Sequence, residues 1–81
     1  MPTVLMFAAA REAAGRAHDV IDGPTLGDVL DEARRRYGRE FARVLANSRV
    51  WLNGEVPDDE PHGTPCGTGD EIAVLPPISG G

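Results

Sequence analysis

The chain has 81 residues, a length that allows one domain, and its thirteen acidic residues outnumber eight arginines for a net charge of −5. This negative balance disfavours non-specific nucleic-acid binding, which needs a basic surface. A single cysteine excludes an internal disulfide and any all-cysteine zinc or iron–sulfur site. Lysine is absent from the sequence.

The first seven-residue apolar run, residues 4–10, does not look like a targeting or membrane segment. No basic residue precedes it, and Arg11 and Glu12 end it. A signal peptide begins with a basic segment, and a membrane span needs about 20 apolar residues. We therefore expect a cytoplasmic protein with no membrane partner, which agrees with an unpaired thiol.

Two strands are predicted near the amino-terminal end. Residues 3–8 are β-branched and aromatic enough for a buried strand, and residues 17–21 predict a second one before a turn at residues 22–24. The alanine-rich segment between them is expected to form about one helical turn that stops at Gly15. Strands so close in sequence pair most simply as an antiparallel hairpin.

The strongest predicted element is a helix over residues 25–37. Thr25 is a good N-cap, apolar residues recur at helical spacing, and Gly38 predicts a left-handed stop. A shorter second helix follows and ends near Asn47. The three arginines at residues 34–36 could bind phosphate, but a solvated helix end is the favoured interpretation.

Two further strands are predicted in the second half. Residues 49–52 lead into Asn53–Gly54, a pair typical of a type I′ turn, and Pro57 limits the return. After a loop over residues 58–69, residues 71–75 form the last predicted strand. Its proline-rich continuation cannot join a ladder.

The sequence provides no convincing side-chain nucleophile or metal site. Cys66 lies in the loop, far from any helix N-terminus, so an inert thiol is favoured over a catalytic one. His18 and His62 are separated by 44 positions and have no partner pattern, so no metal site is expected.

The element order predicts an α+β domain of the β-grasp type found in ubiquitin-like proteins. We expect a mixed ββαββ sheet with one main helix on one face, a domain over residues 1–75 and an extended tail over residues 76–81. Strand alternation directs one apolar set to the helix: Val4, Met6, Val50, Leu52, Ile72 and Val74. It directs a second apolar set away from the helix: Leu5, Phe7, Trp51 and Leu75.

An apolar outer face on a small domain indicates a protein partner. We favour a partner for Phe7 and Leu75. For Trp51 the alternative stays open that the loop over residues 58–69 and the second helix cover it.

The tail is suited to chemistry at the chain end. Pro76 and Pro77 stiffen its exit, and Ile78 offers one apolar anchor before Ser79. Gly80 and Gly81 have no side chains, so the end can pass through a narrow channel into another protein's active site. Such a tail can deliver its own carboxylate as a reactant.

The sequence resembles the MoaD/ThiS type of ubiquitin-like sulfur carrier, most closely the small subunit of molybdopterin synthase. The resemblance spans the chain and is carried by Val-Leu-Met-Phe-Ala-Ala-Ala-Arg-Glu-Ala-Ala-Gly (residues 4–15), Thr-Leu-Gly-Asp-Val-Leu (residues 25–30), Asn53–Gly54, and Gly-Asp-Glu-Ile-Ala-Val-Leu-Pro-Pro-Ile-Ser-Gly-Gly (residues 69–81). The chain departs from the pattern at Leu75, where many relatives have an aromatic residue, and in its longer loop.

The resemblance implies a carrier that is not an enzyme on its own and binds no cofactor. An E1-like enzyme would join the Gly81 carboxylate to AMP from ATP, and a sulfur donor would then replace AMP to leave a thiocarboxylate. The tail would enter the large synthase subunit, where Gly81 gives its sulfur to a pterin precursor in molybdenum cofactor biosynthesis. Residues 76–80 would thread into the partner, and Phe7, Leu75 and, more weakly, Val56 would contact it.

Other functions remain open at this stage. A related carrier could serve thiamine or cysteine biosynthesis, and a ubiquitin-like modifier would use Gly81 to form an isopeptide with a target lysine. Because the chain has no lysine, it could not build lysine-linked chains of itself. A passive β-grasp binding module is the third class.

Overall fold

Four strands form one mixed sheet in the computed structural model, which describes residues 1–77. The strands are β1 (Thr3–Met6), β2 (His18–Val20), β3 (Arg49–Leu52) and β4 (Glu71–Leu75), in the spatial order β2-β1-β4-β3. The helices within this range are α1 (Ala8–Ala14), α2 (Leu26–Tyr37) and α3 (Arg39–Ala46), with a short 3-10 helix at Pro61–Gly63. The α+β class, the mixed sheet and the order of the strands along the chain are confirmed.

The first and last strands lie side by side in the middle of the sheet. β1 and β4 are parallel, with Val4 opposite Ile72 and Met6 opposite Val74. β2 pairs antiparallel with β1, and β3 pairs antiparallel with β4. The parallel central pair needs a long crossover, which the two longer helices supply.

The predicted inner face of the sheet forms the core. It buries the side chains of Val4, Met6, Ile72 and Val74, while Val50 and Leu52 pack against its edge. The helices complete this core with Ala10, Leu26, Val29, Leu30, Ala33, Phe41 and Leu45, and Ile21 joins them from the segment after β2. The expectation of one main helix is too simple, because α1 and α3 also cover this face.

The chain leaves β1 earlier than predicted. The strand ends at Met6, because Phe7 is the extended N-cap of α1 and Ala8 turns the backbone sharply at φ 49°. α1 has seven residues, about two turns rather than one, before Gly15 ends it at φ 78°. Phe7, which comes just before this junction, is exposed.

A single residue joins the two longer helices. The Thr25 hydroxyl accepts the Asp28 N–H at 3.1 Å, as expected of an N-cap, and α2 then continues to Tyr37. Gly38 is both the C-cap of α2 and the N-cap of α3. Its φ of 92° and ψ of −167° differ from the left-handed helical stop that the sequence predicts, because the chain must change direction in one residue.

The turn after β3 has the predicted geometry. Asn53 and Gly54 have φ values of 52° and 82°, as a type I′ turn requires. Leu52 and Glu55 exchange both backbone hydrogen bonds across it, at 2.8 and 3.1 Å. The return is an isolated bridge rather than a strand, since Pro57 follows.

The loop over residues 58–69 packs on α2. The Thr64 carbonyl accepts the Leu26 N–H at 2.8 Å, and Cys66 donates its N–H to the Pro24 carbonyl at 3.2 Å. The loop is therefore held at the start of α2, on the helix side of the sheet. Within residues 1–77, no helix is long and apolar enough to cross a membrane.

Candidate functional site: the tail exit and the surfaces around it

The tail begins where β4 ends. The strand stops at Leu75, and Pro76 and Pro77 continue outside any regular element. The other residues of the predicted tail, Ile78, Ser79, Gly80 and Gly81, lie outside the described residues. Their roles, and the division of the chain at residue 76, therefore stay predictions.

One side of the tail exit is an apolar patch on the sheet surface that faces away from the helices. We call it the outer sheet face; it comprises Leu5, Phe7, Val20, Trp51, Ala73 and Leu75. Leu5, Ala73 and Trp51 form one row across three strands. Phe7 lies beside the end of β4, since its N–H donates to the Val74 carbonyl at 3.3 Å.

Large side chains on this face reach solvent. Phe7 is 45% exposed and Trp51 is 37% exposed, whereas Leu5 and Leu75 are half-buried. The loop over residues 58–69 lies on the other side of the sheet and leaves Trp51 accessible. The exposed apolar face predicted from strand alternation is confirmed, and the partner expected for it stays a prediction.

The structure brings together two of the three residues predicted to bind a partner. Phe7 and Leu75 are neighbours at the tail exit, but Val56 follows the turn at the opposite end of β3. Val56 is 63% exposed, and it lines a groove that also contains Glu55 and Asp58. A partner that contacts Phe7 and Leu75 must extend along β3 to reach Val56.

The other side of the tail exit is a groove that sequence reasoning missed. We call it the tail groove; it has a volume of about 190 Å³ and is lined by Ala9, Arg43, Val44, Asn47, Pro76 and Pro77. It forms where α1 packs against α3. The sequence of neither helix on its own indicates that the two helices pack together. The alanines of α1 are the one feature of the sequence that indicates a close approach, because their small side chains allow another helix to pack near the α1 backbone.

A cluster of possible metal-binding side chains lies away from the tail. Asp28, Asp31 and His62 bring their ligand atoms within 4.8 Å of one another. Each carboxylate already accepts a hydrogen bond, since Asp31 contacts Arg34 at 2.7 Å and Asp28 contacts Thr25 at 2.7 Å. The expectation of no metal site stays a prediction.

The remaining candidates from the sequence have ordinary structural environments. Burial raises the pKa of the Cys66 thiol, and nearby Asp70 and Asp28 act in the same direction, which disfavours the reactive thiolate. The three consecutive arginines are largely neutralised by ion pairs: Arg34 with Asp31, Arg35 with Glu32, and Arg36 with Glu32 and Asp19. These pairs favour the interpretation as a solvated helix end.

Comparison with known proteins supports the resemblance described from the sequence. The ThiS family matches residues 4–81. A molybdopterin synthase sulfur carrier subunit from Drosophila erecta is 33% identical over 84 residues, which cover 96% of this chain and 88% of that protein.

Solved structures share the fold. The crystal structure of SAMP1 from Haloferax volcanii has a TM-score of 0.77 and 31% identity, covering 99% of this chain and 98% of that one. A complex of subunits 1 and 2 of molybdopterin-converting factor from Helicobacter pylori contains a similar chain, with a TM-score of 0.72, 22% identity and coverage of 99% and 97%. With its β-grasp fold, its exposed sheet face and a family match that includes the last residue of the sequence, this chain belongs to the ThiS family.

Proposed function

We propose that this protein is a sulfur carrier of molybdenum cofactor biosynthesis, acting as the small subunit of molybdopterin synthase. The observation that carries the proposal is the exit of the tail from the fold. β4 ends at the surface between the outer sheet face and the tail groove, where Pro76 and Pro77 follow it, and Gly80 and Gly81 come after them in the sequence. The sulfur carrier function of the Drosophila relative supports the same assignment.

The proposed chemistry takes place at the carboxyl group of Gly81. A carboxylate is a poor electrophile, so an E1-like partner first transfers AMP from ATP to it and releases pyrophosphate. A sulfur nucleophile then attacks the acyl carbon, and AMP leaves with the bonding electrons. The resulting thiocarboxylate is a nucleophile at a chain end rather than on a side chain.

The carrier acts only with partners in this proposal. The large synthase subunit supplies the pterin pocket and the acid–base groups, and together the two chains form a hetero-oligomer in the cytoplasm. The complex that contains the Helicobacter pylori chain is the kind of assembly expected. ATP is bound by the activating enzyme and not by this chain.

The test is conversion of the purified chain with ATP, an E1-like activator and sulfide. Intact-protein mass spectrometry should show the mass change of one oxygen-to-sulfur exchange. A chain lacking Gly81 should remain unchanged, and Cys66→Ser should react like the wild type, which separates the chain end from the thiol. Without either an acyl-adenylate or a mass change in the wild type, the carrier assignment fails.

A ubiquitin-like modifier is a second candidate. It is favoured by the 31% identity to SAMP1, whose name is small archaeal modifier protein 1. The same activated Gly81 would then form an isopeptide with a lysine of another protein. Incubation with activator, ATP and a lysine-containing acceptor distinguishes the two: a covalent adduct with no thiocarboxylate would favour the modifier.

A further inference from the structure

The tail groove lies against the last described residues of the chain. Pro76 and Pro77 form part of its wall, Ala9 contributes from α1, and Arg43 from α3 and the α3 C-cap Asn47 contribute from the other side. Most of the lining is apolar, and the polar side chains are those of Arg43 and Asn47. The groove and the outer sheet face therefore lie on two sides of the same exit.

The length of the tail limits how far a partner's active site can be from this groove. Four residues follow Pro77 in the sequence, and four extended residues span at most about 13–14 Å. A protein that acts on Gly81 must bring its reacting centre within that distance of Pro77. Such a protein must therefore come close to Pro77, which lines the tail groove.

We propose that the tail groove is a docking site for the large synthase subunit, separate from the outer sheet face. This inference rests on the proposed function, because it takes the tail to be the part that enters the partner. The partner would insert an apolar side chain between Ala9 and Val44. A partner bound to both surfaces would enclose the start of the tail at Pro76 and Pro77. It would thereby orient the tail into the partner's channel.

The rim of the groove defines the polar chemistry of the partner. Arg43 pairs with Glu40 through Nε and one terminal nitrogen, at 3.3 and 2.6 Å, and the described contacts leave its other terminal nitrogen without a partner. The Asn47 amide nitrogen donates to the Arg43 carbonyl at 3.3 Å. An acceptor such as a carboxylate or backbone carbonyl beside the inserted apolar side chain would meet the Arg43 guanidinium.

Two substitutions test the two parts of the groove. Ala9→Gln fills it with a longer side chain from an exposed position, and Arg43→Glu reverses the charge at its rim. Each should weaken binding of the large subunit by about tenfold or more in isothermal titration calorimetry. Circular dichroism and a cooperative thermal melt should show that both variants remain folded.

Matched controls keep the test specific. Ala46→Gln places the same side chain on an exposed alanine outside the groove lining. Arg35→Glu breaks an exposed i,i+3 pair with Glu32 that resembles the pair between Arg43 and Glu40. Both controls should bind within about twofold of the wild type.

Four outcomes distinguish a failure of the docking site from a failure of the proposed function. Weakened binding in Ala9→Gln and Arg43→Glu but not in the controls supports the docking site. Wild-type affinity in both groove variants overturns it, even when Gly81 still gains sulfur. If Ala9→Gln fails to fold, Arg43→Glu alone decides, because its side chain is exposed on a helix surface. If the wild type neither gains sulfur nor binds the large subunit, the proposed function itself fails.

Discussion

A glycine in the first turn of α2 holds the long loop in place. A Cβ at Gly27 would lie 2.4 Å from the His62 ring, so the imidazole rests directly on the glycine backbone. In that position His62 Nε2 lies 2.8 Å from Asp31 Oδ2. The loop is thus attached to α2 through the contacts of His62 with Gly27 and Asp31.

This contact makes the stability of the protein depend on pH. The hydrogen bond with Asp31 raises the pKa of His62 above 6.5, and the hydrogen bond with His62 lowers the pKa of Asp31 below 3.8. The His62 contribution is fully present below pH 6.5 and is lost as pH rises through the folded-state pKa. The Asp31 contribution is present above pH 3.8 and is lost as pH falls through its lowered pKa.

We predict that His62→Gln is most destabilising between pH 3.8 and 6.5, where both partners are charged. The difference from the wild type should shrink as the pH rises above that window. Urea unfolding at a series of pH values measures it, with exposed His18→Gln as the control. A difference that is constant with pH would contradict the ion pair.

Gly27→Ala should disrupt the contact between His62 and Asp31, because the His62 ring packs directly on the Gly27 backbone. The added methyl group cannot fit under the ring, so His62 must swing away from Asp31. We expect the imidazole pKa, followed by NMR, to fall from its raised value towards 6.5. A raised pKa that persists in Gly27→Ala would show that the ring does not depend on the glycine.

At the scale of the elements, Gly38 has a backbone conformation that favours glycine. Its φ of 92° with ψ of −167° lies in a region that only glycine adopts without strain, although a Cβ there would meet no other atom. Gly38→Ala should therefore lower the free energy of unfolding by about 1–3 kcal/mol. Gly67→Ala is the control, since that position is equally open and is not left-handed, and should change it by less than about 0.5 kcal/mol.

Denaturant unfolding compares these two glycines directly. Equal effects would show that the short connection between α2 and α3 relaxes to accept a side chain. Backbone strain would then not be the reason why residue 38 is a glycine.

Elements with local signals were the predictable part of the fold. Thr25 caps α2 through its own side chain, and Asn53–Gly54 form a turn that two residues specify. The conformation of Gly38 and the end of β1 at Met6 depend instead on how α1 and α3 pack, so a local pattern could not indicate them. The type of an element is therefore visible in its own residues, whereas a junction between elements depends on packing that those residues do not specify.

The candidate site also has one part that the sequence predicts and another that it does not. Strand alternation identifies Phe7 and Leu75 as outward-facing, because a two-residue period is visible in the sequence. The distance of Val56 from them and the existence of the tail groove depend on tertiary contacts between elements far apart in the chain. The role proposed for Gly81 rests on the composition of the tail, on the place where the tail leaves the fold and on the resemblance to the family.

At the scale of the whole molecule, the outer sheet face should be needed for association and not for stability. Phe7→Asp is expected to weaken binding to the large subunit by about tenfold or more, because an exposed apolar contact is replaced by a charge. The thermal melt should stay cooperative. Titration calorimetry and circular dichroism measure the two effects separately.

Val20→Asp is the matched control for this prediction. Val20 is also 45% exposed on the outer sheet face, but it lies on the edge strand β2, away from β4 and the tail. Its effect on binding should be clearly smaller. Loss of the cooperative melt in Phe7→Asp would instead place Phe7 among the residues that hold the fold together.

The central pairing of β1 with β4 has a consequence for how the protein is made. One of these strands begins at residue 3 and the other ends at residue 75, so the middle of the sheet cannot close until β4 has left the ribosome. A growing chain would expose the apolar side of β1 throughout its synthesis.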